Sequence, residues 1–192
     1  PTFVFLILFV LSIIVSFIIY MNGLPQNLDF KGEGEKLKIP EKNVLVFGLL
    51  LFIIFGSNGI IIDWSALWFT KELNAPLYLA SLGLIFLSFG GIFANLFSNQ
   101  LIKLFSEKIV GCYFVIFGSL ILFSSIIIGN FYFILITFFL YGFLTANLVP
   151  IIIRQAVKHS SESIPTTVTN LITMGFSALL FAPALIGFIA ET

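Results

Sequence analysis

The stretch VLVFGLLLFIIFGSNGIIIDWSALWFT, residues 44–70, carries a single charge, Asp63. At about 1.5 Å per helical residue it reaches across the roughly 30 Å hydrocarbon core of a bilayer. A membrane-spanning strand does not fit, because such strands are about ten residues long and alternate in polarity. Five runs of the same kind follow or precede it, at 1–20, 77–97, 109–128, 131–153 and 164–190. The chain therefore reads as an all-α integral membrane bundle of six transmembrane helices. Composition agrees: 59% of the 192 residues are hydrophobic, 17% aromatic and 9% charged, with a mean hydropathy of +1.15, beyond the range of water-soluble domains. The bilayer is the expected partner. A net charge of zero gives no electrostatic footprint for nucleic acid, and the lone Cys112 excludes an intrachain disulfide and a cysteine metal site.

The connections set an orientation. Lys31, Lys36, Lys38 and Lys42 lie between the first and second runs, Lys103 and Lys108 between the third and fourth, and Arg154 and Lys158 between the fifth and sixth. Only Lys71 falls on the opposite side. The positive-inside rule then places loops 21–43, 98–108 and 154–163 in the cytoplasm of a multi-pass protein of the inner (cytoplasmic) membrane. Loop 21–43 mixes its lysines with Asp29 and three glutamates and is broken by Gly23, Pro25, Gly32, Gly34 and Pro40, so it reads as a solvated linker between bundles. The first run starts at Pro1 and has neither a basic residue before it nor a cleavage pattern after it, unlike a signal peptide. It is expected to be a helix entered partway, in a piece of a longer protein.

Polar groups inside the spans are costly and turn toward partner helices or a wet cavity. Asn58 and Asp63 stand in the second run, Asn95 in the third, Asn147 in the fifth and Asn170 in the sixth, whereas the first and fourth have no Asn, Gln, Asp or Glu. Four helices are expected to face inward and two outward. Helical spacing sharpens this: Thr166, Asn170, Thr173 and Ser177 share one face, as do Ser81, Ser88, Gly91, Asn95 and Asn99, then Thr137, Tyr141 and Thr145, then Gly56, Gly59, Asp63 and Ala66. Such stripes serve close helix approach with hydroxyls bonding across, or a cavity. His159 reads as a solvated loop residue, Arg154 as a snorkelling side chain, Trp64 and Trp68 as an aromatic belt, and Pro150 and Pro183 as interruptions of their spans.

The segments GIIIDWSALWFTKEL (59–73), NLFSNQLIKLFSEKIV (95–110), YGFLTANLVPIIIRQA (141–156) and VTNLITMGFSALLFAPALIGFIAE (168–191) resemble the second half of a permease of the major facilitator superfamily. The resemblance implies helices six to eleven of a twelve-helix secondary transporter, with residues 1–20 as the sixth helix, 21–43 as the central linker and 44–192 as the C-terminal bundle. It implies alternating access around a central site, a small organic solute, no bound cofactor or metal, and the absent N-terminal half as partner. The cavity-lining set is then Asn58, Asp63, Trp64, Tyr141, Asn147, Asn170 and Thr173. Asn99, Gln100 and Lys108 fall in the gating loop, where the family's Asp and Arg are replaced by neutral amides, so its latch is weaker here or comes from elsewhere.

No enzymatic motif emerges, since one acid and no histidine stand at membrane level. A non-transporting scaffold and a degenerate permease remnant are the alternatives. Asp63, nineteen residues or roughly 28 Å beyond Val44, is expected near the outer interface. There it serves as an outer-gate hydrogen-bonding group, a proton-coupling site or a structural acid.

Overall fold

The computed structural model describes residues 10–17, 21 and 40–190, and no strand occurs among them. The chain divides into two compact units, Pro1–Ile39 and Pro40–Thr192. In the first, helix α1 covers residues 10–17, exposed throughout. The remainder of the expected first span, and all of the linker up to residue 39 except Met21, lie outside the described residues.

In the second unit the run that carries Asp63 forms α2, Lys42–Lys71. It holds no proline, and its mostly apolar side chains offer the backbone few competing hydrogen-bond partners. Its end is set by Asn74, which takes a positive φ of 50°; the Glu72 and Leu73 N–H groups fold back onto the Trp68 carbonyl and Ala75 N–H onto that of Phe69. Asparagine is one of the few residues that enters this left-handed region at low cost. Pro76 then starts the return through α3 (Leu77–Ala80) and α4 (Leu82–Leu96).

The segment 98–108, expected as a loop, is instead helical: α5 is Ser98–Lys108 and buries none of its residues. Polar Asn99, Gln100 and Lys103 alternate there with Leu101, Ile102, Leu104 and Phe105, an amphipathic pattern that needs no bundle contact to stay helical at an interface. Ser106, at φ 68° and ψ 157°, bends the chain within it. A π-helical stretch, Ile109–Tyr113, leads into α6, Phe114–Ile128. Gly129, at φ 62°, ends α6, and the Asn130 side chain accepts the Phe133 N–H at 3.1 Å to start α7, Phe131–Thr145.

Pro150 explains the next break. It has no N–H to offer the Ala146 carbonyl and its ring crowds that position, so the helix stops at Thr145 and resumes as α8, Leu148–Lys158. Pro183 behaves differently from the expectation: α9, Ile164–Ala190, runs through it. Ser163 starts α9 by accepting the Thr166 N–H, and Pro165 sits in the first turn, where an N–H is not required.

Among the described residues, five helical stretches are long and apolar enough to cross a membrane: Lys42–Lys71, Tyr78–Leu96, Ser98–Ile128, Phe131–Lys158 and Ile164–Ile189. Two close parallel pairs dominate, α2 with α9 and α4 with α7, and α6 lies along α7. One core cluster, built on Val44, Leu51, Ile152, Ala156 and Leu171, joins α2, α8 and α9. The other, built on Phe69, Ala80, Ile134, Leu135 and Phe138, joins the far end of α2 to α3 and α7. Phe69 anchors it, with its ring edge-on to Phe131 and Phe138. Helix α6 exposes Ile116, Phe117, Leu120, Phe123 and Ile127, as expected for a helix that faces lipid.

Among the described residues, most hydroxyls within the spans bond their own helix rather than a neighbour. Ser57, Thr70, Ser124, Ser125, Thr137, Thr145 and Ser177 each donate to a carbonyl three or four residues back on their own helix. This corrects the expectation of bonding across the stripes, because the nearest acceptor in an apolar surrounding is the helix's own backbone. Smallness does the joining: Gly56 sits against Ala182 and Ala178, Gly59 against Leu179, and Gly175 against Phe55.

Candidate functional site

Two polar clusters gather at the end of the bundle that holds Lys42, Lys103, Lys108, Arg154 and Lys158, the basic end. The first is a reciprocal clasp between the starts of α2 and α9. The Glu41 N–H donates to Glu162 Oε1 at 3.1 Å, and the Ser161 N–H donates to Glu41 Oε2 at 3.2 Å, with the Ser161 hydroxyl on the other Glu41 oxygen. Each carboxylate thus covers the entrance of the partner helix, where unpaired N–H groups and the positive end of the helix dipole favour an anion. The hydrogen bonds from Ser161 hold the Glu41 carboxyl below its ordinary pKa. Asn170 joins by donating its amide to Glu162 Oε2 at 3.2 Å, and Asn43 donates to the His159 carbonyl. His159 is exposed in the loop, with Nδ1 at 2.8 Å from the Gln155 carbonyl oxygen, a contact that a protonated Nδ1 satisfies.

The second cluster centres on Glu107. Arg154 Nη1 donates to Glu107 Oε1 at 2.8 Å and Gln155 Nε2 to Glu107 Oε2 at 2.5 Å. The bend at Ser106 and the helix that follows bring this carboxylate onto α8. Sequence reading treated Arg154 as a snorkelling side chain and gave Glu107 no partner. The usable signal was their composition: one acid and one arginine at the same predicted membrane depth on neighbouring spans.

The remaining expected site residues are dispersed. Asn147 is 1% exposed and stands in the break between α7 and α8, where its Nδ2 donates to the Ala94 carbonyl at 3.3 Å while Oδ1 has no partner among the described residues. Tyr141 is buried along α7, Asn58 and Trp64 are half-buried on α2, and Asp63 is exposed there. Thr173 on α9 is exposed, as are Asn99, Gln100 and Lys108 on α5. So are Ser88 and Asn95 on α4, whose buried positions are Gly83, Gly90 and Ala94. Of the expected set, Asn170 alone enters one of the two clusters. A cleft of about 550 Å³ between α2 and the π-helical stretch Ile109–Tyr113, floored by α8, is lined by Lys108 but by none of the cavity set. Among the described residues no three His, Cys, Asp or Glu side chains converge as metal ligands.

Two curated relatives match this chain. An uncharacterized MFS-type transporter of Yersinia pestis is 28% identical over 95% of the chain and 48% of its own length. Membrane protein MosC of Rhizobium meliloti is 30% identical over 87% of the chain and 42% of its own length. The chain thus spans about half the length of the curated relatives it matches. No family model matches, and no solved structure matches either. The resemblance to the major facilitator superfamily is borne out by the first relative, and the chain is a multi-pass, transporter-like membrane protein.

Proposed function

We propose that this chain forms part of a secondary transporter that moves a small organic solute by alternating access, driven by an ion or solute gradient. The alignment of 95% of the chain with a protein named as an MFS-type transporter carries the reading. The packing supports it physically. Alternating access needs stiff bodies that move against one another, and glycines let α4 and α7 approach backbone to backbone and let α2 and α9 pack side chains closely. The ties at the basic end are of another kind, hydrogen bonds and an ion pair with Arg154 46% exposed and Glu107 23% exposed, which water can replace at small cost.

In this reading the basic end faces the cytoplasm of the inner membrane, and the missing part of the transporter covers the exposed polar positions Asp63, Ser88, Asn95 and Thr173. Asp63 contributes an outer-gate hydrogen bond to that part, because no described side chain pairs with it. The test is solute uptake into vesicles that contain the complete transporter, compared between the native protein and Asp63→Asn. A gate predicts an altered rate with gradient coupling intact. Loss of gradient-driven accumulation with exchange retained would make Asp63 the coupling acid instead, and no uptake by a well-inserted native protein would favour a scaffold.

A further inference from the structure

We propose that the cleft between α2 and the π-helical stretch Ile109–Tyr113 binds an anionic phospholipid, with an acyl chain in the cleft and the phosphate on Lys108. The cleft has an apolar slot and a polar mouth. Its walls are Leu50, Ile53 and Ile54 of α2 and Gly111 and Cys112 opposite, over Ile151 of α8. Leu50 and Ile53 are 43% and 62% exposed, and Cys112 is exposed as well, so the slot opens outward from the bundle, where lipid chains are the solvent. Gly111 keeps that opening wide: a larger side chain would fill it toward Ile151.

The mouth lies at the basic end, where Glu107, Lys108 and Gln155 line the cleft. The Glu107 carboxylate is neutralised by Arg154 and held by Gln155. Lys108 pairs with no carboxylate among the described residues and leaves the mouth with one net positive charge. A long lysine stem at an interface carries its ammonium to headgroup level, and basic recesses between membrane helices select anionic headgroups. One cation over a hydrocarbon slot matches one phosphate on one acyl chain. A neutral amphiphile would not use the charge, and a soluble anion would not use the slot.

Cys112 is the chain's one cysteine and serves as the reporter. The full chain in phosphatidylcholine nanodiscs, with or without phosphatidylglycerol, would be reacted with a small uncharged maleimide, and bound lipid would be counted by native mass spectrometry. Phosphatidylglycerol is expected to slow alkylation of Cys112 and to remain bound. Lys108→Gln is expected to weaken that retention about fivefold, the factor one lysine contributes near an anionic surface. Lys103→Gln, at an exposed lysine that does not line the cleft, keeps the protection, and Gly111→Leu abolishes it by filling the slot. Equal alkylation in both lipids, or slowing that survives Lys108→Gln, overturns the proposal. So does a Cys112 that is shielded in every lipid, as it would be by a helix or a second copy in the slot, or protection by glycerol 3-phosphate alone in detergent.

Discussion

Gly90 and Gly142 interlock across the α4–α7 crossing: a methyl group on Gly90 would come within 2.0 Å of the Phe139 carbonyl oxygen, and one on Gly142 within 2.1 Å of that of Leu87. Both obstacles are backbone, so neither can rotate away. Gly90→Ala and Gly142→Ala are each expected to destabilise the bundle by at least about 1–3 kcal/mol through forced separation of the helices. Gly187, with nothing within 4 Å, is the control, where alanine is neutral or gains up to about 1 kcal/mol in helix propensity. Unfolding in mixed detergent micelles measures all three. Equal behaviour of Gly90→Ala and Gly187→Ala would show that the crossing is not this close.

The Glu107–Arg154 pair is a weak tie by design of its surroundings. A double-mutant cycle with Glu107→Gln and Arg154→Gln is expected to give a coupling energy of about 0.2–1 kcal/mol, the range for partly exposed pairs. Increased salt should reduce it. A coupling well above that range would mean that the pair is shielded from water.

The spans were legible because length and apolar composition decide them. The runs at 44–70 and 164–190 became Lys42–Lys71 and Ile164–Ala190 with errors of two residues or fewer. Segment 98–108 was not, since its polar residues look like a loop until Leu101, Ile102, Leu104 and Phe105 are seen to form an apolar face. On α4 the contact within the bundle is made by small residues, not by the polar ones. Ser88 and Asn95 stand out in the sequence, yet Gly83, Gly90 and Ala94 make the contact, because van der Waals approach rather than polarity joins helices in lipid. The Glu41–Glu162 clasp could not have been read, since its partners are 121 residues apart.

Glu41 provides a test through pH. Its carboxyl is held below the ordinary value by Ser161, so the stability it adds is present above the unfolded-state pKa and is lost as pH falls through the folded-state value. Ser161→Ala, which removes the hydroxyl but keeps the Ser161 N–H on Glu41 Oε2, is expected to raise the Glu41 titration partway toward the ordinary carboxyl range, as followed by NMR of a labelled side chain. An unchanged titration in that variant would remove the Ser161 hydroxyl as the main cause.

Asn147 predicts an asymmetry between two substitutions. Asn147→Ala removes the bond to Ala94 together with the unpaired Oδ1, and should cost about 1 kcal/mol plus a small cavity. Asn147→Asp places an acid against the Ala94 carbonyl with no donor when ionised, and is expected to cost clearly more, with a loss that grows as pH rises. Thermal unfolding of the two variants across pH measures this. An aspartate variant that matches the alanine variant at high pH would show that water reaches the site.

Uptake by the complete transporter in sealed vesicles, with an imposed ion gradient and a panel of small organic solutes, tests the central claim most directly. We predict saturable accumulation of at least one solute that collapses when the gradient is dissipated. A folded, correctly inserted protein that moves no solute of the panel faster than empty vesicles would contradict it.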